Sequence, residues 1–123
     1  MTTNTKSSPS DIREALMQCT GTEYWYRHPL ARDLLYTDGA KLFAEMAGAY
    51  WFLDIVATEI LPFQKRQPFI GVIMTVTDSK ARITADDGNY NVFWSRDIDW
   101  TDCPEGKWTF YLTGNTLLVP SEY

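Results

Sequence analysis

The sequence contains few of the residues that metal sites and nucleophilic catalysis require. Its 123 residues include one histidine, His28, and two cysteines, Cys19 and Cys103. The two cysteines are far apart, so they form neither the paired spacing of a zinc site nor a C-x-x-C redox motif. We therefore predict no metal ion and no cofactor, and two ordinary thiols in a reducing compartment.

Motifs for nucleotide binding, acyl transfer and metalloprotease chemistry are also missing, namely GxGxxG, GxxxxGK[ST], GxSxG and HExxH. The segment MTTNTKSSPS lacks the apolar stretch of a secretory signal. The most apolar stretch, residues 46–61, contains Asp54 and Glu59 and is too short to span a bilayer. These absences predict a cytoplasmic protein without membrane contact, and they identify no reaction.

Basic residues are scarce in the second half of the chain. The formal net charge is −5, and counting along residues 69–123 gives 4 basic and 8 acidic side chains. A protein that binds the phosphate backbone needs a basic face, so we expect no direct nucleic-acid binding. The acidic excess instead favours a surface that attracts a basic partner, or serves solubility.

The chain is predicted to be one domain, residues 10–123, preceded by a disordered tail at residues 1–9. Ser10 is the expected N-cap of a short helix, Asp11–Gln18, and Gly21 is its expected stop. This short N-terminal helix is expected to lie on the main body of the domain.

A long central helix is predicted from Thr37 or Asp38 to about Leu61, where Pro62 stops it. Apolar residues recur along it at alternating spacings of four and three, which makes one continuous apolar stripe. Its second half is apolar nearly all round, so we expect this helix to be covered on more than one side.

From Phe69 onward, apolar residues alternate with period two, which is typical of strands. Five strands are predicted, at residues 69–76, 80–85, 91–100, 107–112 and 116–120. Turn residues such as Asp87-Gly88 and Gly114-Asn115 favour short hairpins between them. The predicted fold is therefore α+β, with the long helix packed on a five-stranded antiparallel meander.

The alternation also assigns side chains to the two faces of the predicted sheet. The helix-facing set comprises Ile70, Val72, Met74, Val76, Ala81, Ile83, Ala85, Trp94, Ile98, Trp100, Trp108, Phe110 and Leu112. On the opposite face, Ile73, Phe93 and Tyr111 are expected to form an exposed apolar patch. Such a patch favours self-association, so a homodimer is one prediction.

Asp54 lies on an apolar face of the predicted long helix, where an unpaired charge is costly. Its expected partner is Arg27, Arg32, His28 or the polar tip of a Trp or Tyr side chain. The candidate cluster consists of Trp25, Arg27, His28, Arg32, Trp51 and Asp54. It is either a structural ion pair that fastens an irregular segment to the helix, or a pocket in which His28 or Asp54 acts on a ligand.

A second candidate is acidic. Residues 86–105 contain six acids and one cation, Arg96. The acids are Asp86, Asp87, Asp97, Asp99, Asp102 and Glu105. Their spacing does not match a calcium loop, so they form either a solvated face or a docking surface for a basic protein partner.

Five blocks carry a resemblance: GTEYWYRH at 21–28, YTDG at 36–39, GAYWFLD at 48–54, DGN at 87–89 and LLVPSEY at 117–123. In these blocks the chain resembles a family of small bacterial proteins, also found on phages and plasmids, that is defined only as a domain of unknown function. The resemblance covers about residues 20–123. It implies one compact domain and an association with mobile elements, and it supplies no catalytic residues.

Two functions follow as hypotheses. The first is a non-catalytic protein-binding accessory factor of a phage or plasmid, of which an inhibitor of a host defence system such as CRISPR is one version; that version rests on association. The second is a small enzyme or ligand-binding protein with a pocket around His28 and Asp54. Arg27 or Arg32 pointing into an opening beside His28 would favour the second.

Overall fold

The computed structural model describes residues 8–19 and 24–123, which form three α-helices and a seven-stranded sheet. The helices are α1 (Pro9–Met17), α2 (Asp38–Ala47) and α3 (Tyr50–Ile55). The strands are β1 (Trp25–Arg27), β2 (Leu35–Thr37), β3 (Phe69–Thr77), β4 (Lys80–Asp86), β5 (Val92–Ile98), β6 (Gly106–Thr113) and β7 (Thr116–Leu118). The α+β class predicted from the sequence is confirmed, and several of its details are wrong.

The N-terminal helix begins two residues earlier than predicted. Ser8, rather than Ser10, is the N-cap, because its hydroxyl accepts the backbone N–H of Asp11 at 3.2 Å. Pro9 suits the first helical position, where its missing N–H would have no partner. Residues 1–7 of the predicted tail and the predicted stop at Gly21 lie outside the described residues.

The single long helix is wrong, because the chain breaks between α2 and α3. Gly48 has φ 63° and ψ 38°, and its N–H bonds the carbonyl of Ala44. Glycine adopts this left-handed conformation without a steric penalty, so α2 ends there. After α3 the chain forms a π-helical turn at Val56–Ile60 and a 3-10 turn at Leu61–Lys65. The apolar spacing continues across the break because all these segments contact one core.

The predicted five-stranded meander is also wrong. The strand order is β1-β2-β7-β6-β3-β4-β5, and every neighbouring pair is antiparallel except β2 and β7, which are parallel. Only β3, β4 and β5 form a meander, since β6 pairs with β3 instead of β5. Strand β3 pairs with β6 on one side and with β4 on the other, so its backbone N–H and C=O groups have partners. Most of the alternate side chains of β3 are buried. Two short strands, β1 and β2, extend the sheet beyond the prediction.

The core lies between the helices and one face of the sheet. Phe43 of α2 and Phe52 of α3 both contact Phe110 of β6, with ring centroids 5.0 and 4.8 Å apart. The predicted helix-facing residues of β3, β4 and β6 are all buried, which confirms the alternation in these three strands.

Strand β5 departs from the predicted alternation. Val92 pairs with Asp86 and Trp94 with Ala85, so Phe93 is an extra residue in a β-bulge. Its ring centroid lies 4.9 Å from that of Phe63, in the 3-10 turn after α3, so its predicted place beside Ile73 and Tyr111 is wrong. Trp100 lies beyond the end of β5 and is exposed, so its predicted inward position is wrong as well.

Candidate functional site

His28 and Asp54 form a close pair, with Nε2 of the imidazole 2.7 Å from Oδ1 of the carboxylate. The other ring nitrogen, Nδ1, accepts the backbone N–H groups of Leu30 at 3.1 Å and Ala31 at 3.0 Å. A ring nitrogen that accepts N–H groups carries no proton, so the proton lies on Nε2 and is donated to Asp54. The imidazole is buried, and both of its nitrogens are used within the protein.

The loop between β1 and β2 positions this histidine. The backbone N–H of His28 donates to the carbonyl of Leu34 at 3.0 Å, and the N–H of Leu34 donates to the carbonyl of Ala31 at 3.0 Å. Pro29 prevents the strand from continuing, so the chain folds around the imidazole before β2 begins. The His28–Asp54 hydrogen bond then joins this loop to α3.

The apolar neighbours of Asp54 on the helix predict a carboxylate in apolar surroundings. Its side chain is instead 65% exposed. Because α3 is a separate helix, the exposed face of α3 that carries Asp54 does not continue a face of α2. The side chain of Arg27 contacts another group, since its Nη1 donates to the backbone carbonyl of Arg32. Of the expected candidates, His28 is therefore the one that pairs with Asp54.

A cavity of about 690 Å³ opens between the loop after β1 and the segment after α3, and its lining residues include neither His28 nor Asp54. Arg32, Asp33 and Lys65 contribute its charged groups. Trp25 and Trp51 do not line it: the first is exposed on β1, and the second packs partly buried against the core. The structure thus brings together His28 and Asp54, whereas Arg32 lines the cavity.

Three tyrosines near this region have raised pKa values. The hydrogen bond from the hydroxyl of Tyr26 to Asp38, 3.1 Å long, is the main cause of its raised pKa. Burial raises the pKa of Tyr36, and the negative charge of Asp54 adds to the effect. Burial likewise raises the pKa of Tyr50. These phenols therefore hold their protons more tightly than free tyrosine does.

The six candidate acids lie at opposite ends of the β4–β5 hairpin. Asp86 and Asp87 are at the loop end, whereas Asp97 ends β5 beside Asp99. Strands of this length span about 20 Å, so the two groups do not make one continuous face.

Each group of acids has contacts within the protein. Hydrogen bonds from Asn91, and from the backbone of Asn89, hold the pKa of Asp87 below its ordinary value. At the other end, Oδ1 of Asp97 lies 2.9 Å from Nε of Arg82. Oε2 of Glu105 accepts the backbone N–H of Asp78 at 2.9 Å, which supports the turn between β3 and β4. Asp102 is exposed and also has an interaction within the chain.

Glu122 was missed in the sequence analysis. Its Oε1 accepts the hydroxyl of Thr37 at 2.6 Å and the N–H of Val119 at 3.0 Å, and its Oε2 accepts the N–H of Gly39 at 3.0 Å. The carboxylate thus lies at the N-terminus of α2, where a negative charge is favourable. The sequence carried only half of a capping-box signal, because Glu122 has the right spacing to accept the N–H of Val119 but valine has no side-chain oxygen to accept in return.

These observations define the class of the protein. It is an α+β domain with helices on one face of a mixed seven-stranded sheet and with a histidine–carboxylate pair that holds a loop. The chain belongs to the family of unknown function DUF6876, whose model matches residues 10–123. The resemblance to a family of unknown function is confirmed, and the match includes α1. No curated protein and no solved structure matched.

No helix within residues 8–19 and 24–123 is long and apolar enough to cross a membrane.

Proposed function

We propose that the protein is a non-catalytic binding factor whose protein partner docks on strand β5. Within the described part of the chain, β5 is one of the two edge strands of the sheet, the other being the three-residue β1, and it pairs with β4 only. The outer edge of such a strand presents backbone N–H and C=O groups to which an extended segment of another chain can bind.

The observation that carries this proposal is the group of large apolar side chains exposed around β5. On β5 itself, Val92 is 56% and Phe93 38% exposed; Tyr90, in the loop before the strand, is 81% exposed, and Trp100, beyond its end, is 69% exposed. Exposed apolar residues are ordinary when scattered singly, whereas several on an edge strand and in the segments next to it favour an interaction site. Aromatic residues are also enriched at protein interfaces.

The charges at the end of β5 support a basic partner. Asp97 and Asp99 line a shallow groove together with the cations Lys80 and Arg82. The Arg82–Asp97 ion pair is exposed on both sides, and such pairs contribute little to stability. A cation from a partner can therefore replace Arg82 at small cost.

The geometry of His28 supports a role without catalysis. A general base needs a nitrogen that is able to take a proton from a substrate. Nδ1 of His28 instead accepts two backbone N–H groups, and Nε2 donates to Asp54. The imidazole therefore holds the loop in place.

The class of partner to test first is a component of a host defence system, such as a CRISPR effector. The support for this choice is the mobile-element setting that the sequence resemblance implies, so it is an argument from association. Bacterial, phage or plasmid origin, like the homodimer, stays a prediction.

The test is affinity capture from a host lysate with the Asp97→Lys/Asp99→Lys variant beside the unchanged protein. We expect the variant to lose a captured protein while its melting temperature changes by less than about 3 °C, because both side chains are exposed. Glu14→Lys/Glu45→Lys makes the same charge change on α1 and α2 and should capture normally. Equal capture by both double variants would contradict the proposal.

A second candidate function is the binding of an anionic small molecule in the cavity between the loop after β1 and the segment after α3. The cavity of about 690 Å³ has two cations, Arg32 and Lys65, against one acid, Asp33. In thermal-shift measurements, phosphate and small carboxylates should then raise the melting temperature of the protein. The Arg32→Ala/Lys65→Ala variant should lose that stabilisation, and an unchanged melting temperature with every anion would remove this candidate.

A further inference from the structure

A second cavity, of about 160 Å³, opens on the face of the sheet opposite the helices. Gly71 of β3 and Asp86 of β4 lie side by side at its floor, because they are register partners in the sheet. The aromatic residues Phe69, Tyr90 and Tyr111 line it. Residues around this cavity have no part in the proposed docking on β5 except Tyr90.

The carboxylate of Asp86 is buried against the sheet. The residue is 4% exposed, and its Oδ1 accepts the backbone N–H of Gly88 at 2.8 Å. A Cβ atom on residue 71 would lie 2.6 Å from that oxygen, so the glycine leaves the room that the carboxylate fills. Lys80 and Arg82 lie on the same face of β4, but Arg82 pairs with Asp97, and no cation among the described residues forms an ion pair with Asp86. A buried carboxylate without a cationic partner is costly, and a cation from outside would offset that cost.

Aromatic rings border this carboxylate. The ring centroids of Phe69, Tyr111 and Tyr123 lie 5.1, 5.6 and 5.3 Å apart in pairs, so the three rings form one cluster. Tyr90 has φ 66°, which is uncommon for a bulky residue, and its side chain is exposed at the mouth of the cavity. The faces of such rings attract cations, most strongly cations that are weakly hydrated.

The geometry points to a binding site for an alkylated ammonium group in this cavity, with Asp86 supplying the opposite charge and the aromatic rings supplying the walls. The residues that line the cavity include no lysine or arginine, so nothing there repels a cation. A quaternary ammonium fits better than a metal ion, since hard cations require several oxygen ligands and aromatic rings supply none. The inference does not depend on the proposed docking at β5.

The test on the unchanged protein compares choline with neohexyl alcohol, its neutral carbon isostere, by following backbone amide NMR signals. Choline should shift the signals of Gly71 and Gly88 in a saturable way, and the alcohol should bind at least about tenfold more weakly. No saturable shift with choline, or equal binding of the two compounds, would overturn the inference.

Variants then test the residues. Asp86→Asn keeps an oxygen that accepts the N–H of Gly88 but removes the charge. Choline should therefore bind this variant at least about tenfold more weakly than it binds the unchanged protein. Glu14→Gln removes an exposed acid of α1 and should bind choline normally. Should Asp86→Asn fail to fold, Tyr90→Leu changes an exposed side chain and should also weaken choline binding. Unchanged affinity in the folded variants contradicts the site.

The source of the ammonium group is distinguished by a peptide that carries trimethyl-lysine. Binding of this peptide at least about tenfold tighter than choline assigns the cavity to a modified lysine of a protein. Equal affinity assigns it to a free small cation. Binding of the unmodified lysine peptide with the same affinity as its trimethylated form would contradict the preference for an alkylated ammonium group.

Discussion

At the scale of single residues, one imidazole organises the loop between β1 and β2. His28 satisfies two backbone N–H groups that have no strand partner, and it anchors the loop to α3 through Asp54. Burying these groups without partners would cost free energy comparable to several lost hydrogen bonds. The only histidine of the chain is therefore accounted for by architecture.

Replacing His28 with alanine should lower the free energy of unfolding by about 2 to 4 kcal/mol, because it leaves the N–H groups of Leu30 and Ala31 without an acceptor. Urea unfolding measures this change. The control is Asp54→Asn, whose amide oxygen still accepts the Nε2 proton, so its loss should be about 1 kcal/mol or less. If His28→Ala lowered the free energy of unfolding by as little as Asp54→Asn does, the loop would not depend on the imidazole.

Tyrosine ionisation should limit stability in alkali. The raised pKa of Tyr36, caused mainly by burial, means that the folded protein binds this proton more tightly than the unfolded chain. The resulting stability is complete below the unfolded pKa of about 10 and is lost as pH rises through the higher folded value. Unfolding midpoints in urea should therefore fall above about pH 10, and less steeply in Tyr36→Phe. An identical pH dependence in both proteins would contradict this assignment.

At the scale of elements, the break at Gly48 sets which faces of α2 and α3 meet the core. A continuous helix would carry α3 along the axis of α2. The left-handed residue redirects the chain instead, so that Phe43 and Phe52 converge on Phe110. It also leaves the side chain of Asp54 exposed while His28 beside it is buried.

Gly48→Ala should destabilise the protein by about 1 kcal/mol, since alanine resists the left-handed conformation that ends α2. Gly48→Asn is the matched control, because asparagine tolerates this conformation, and it should lose less. Thermal or urea unfolding compares the two variants. A stabilising Gly48→Ala would mean that the chain prefers a continuous helix.

At the scale of the whole molecule, residues near the two ends of the domain are held together. Strand β7 pairs in parallel with β2, and Glu122 bonds Thr37 and Gly39 at the start of α2. These contacts join segments that are more than 80 positions apart in the chain. They incorporate β1, β2 and the loop around His28 into the same sheet as the hairpins of the second half.

Glu122→Ala should therefore lower the free energy of unfolding by about 2 to 3 kcal/mol, because three donors lose a charged acceptor. Glu122→Gln retains one oxygen and should lose about 1 kcal/mol. Amide hydrogen exchange should also show faster exchange at Gly39 and in β2 for the alanine variant. Exchange that changes only next to residue 122 would show that the carboxylate has a local role.

Much of the fold was predictable because its signals are local. Alternation along β3, β4 and β6 identified their buried sides, since successive side chains of a strand point to opposite faces. The predicted turn at Gly114-Asn115 has positive φ at both positions, as a short hairpin requires. The predicted short hairpin at Asp87-Gly88 is wrong, because residues 87–91 form a longer loop between β4 and β5. The strand pairing was not predictable, because the same alternation permits β6 to lie beside either β3 or β5.

The candidate site was predictable in part for the same reason. A carboxylate among apolar helix residues implied a partner, and segment 24–32 contained three candidates. Which of them meets Asp54 depends on the direction of α3 after Gly48 and on the fold of a loop that contains Pro29. The buried position of Asp86 depends on its register with Gly71, which is a contact between two strands.

The sequence by itself determined the α+β class, the sides of the central strands and the family, because local periodicity and short motifs carry that information. Only the tertiary structure decided the strand order, the His28–Asp54 pair and the contacts of Glu122. Each of these joins residues that are distant along the chain, and such contacts form according to which complete packing leaves the fewest buried groups without partners.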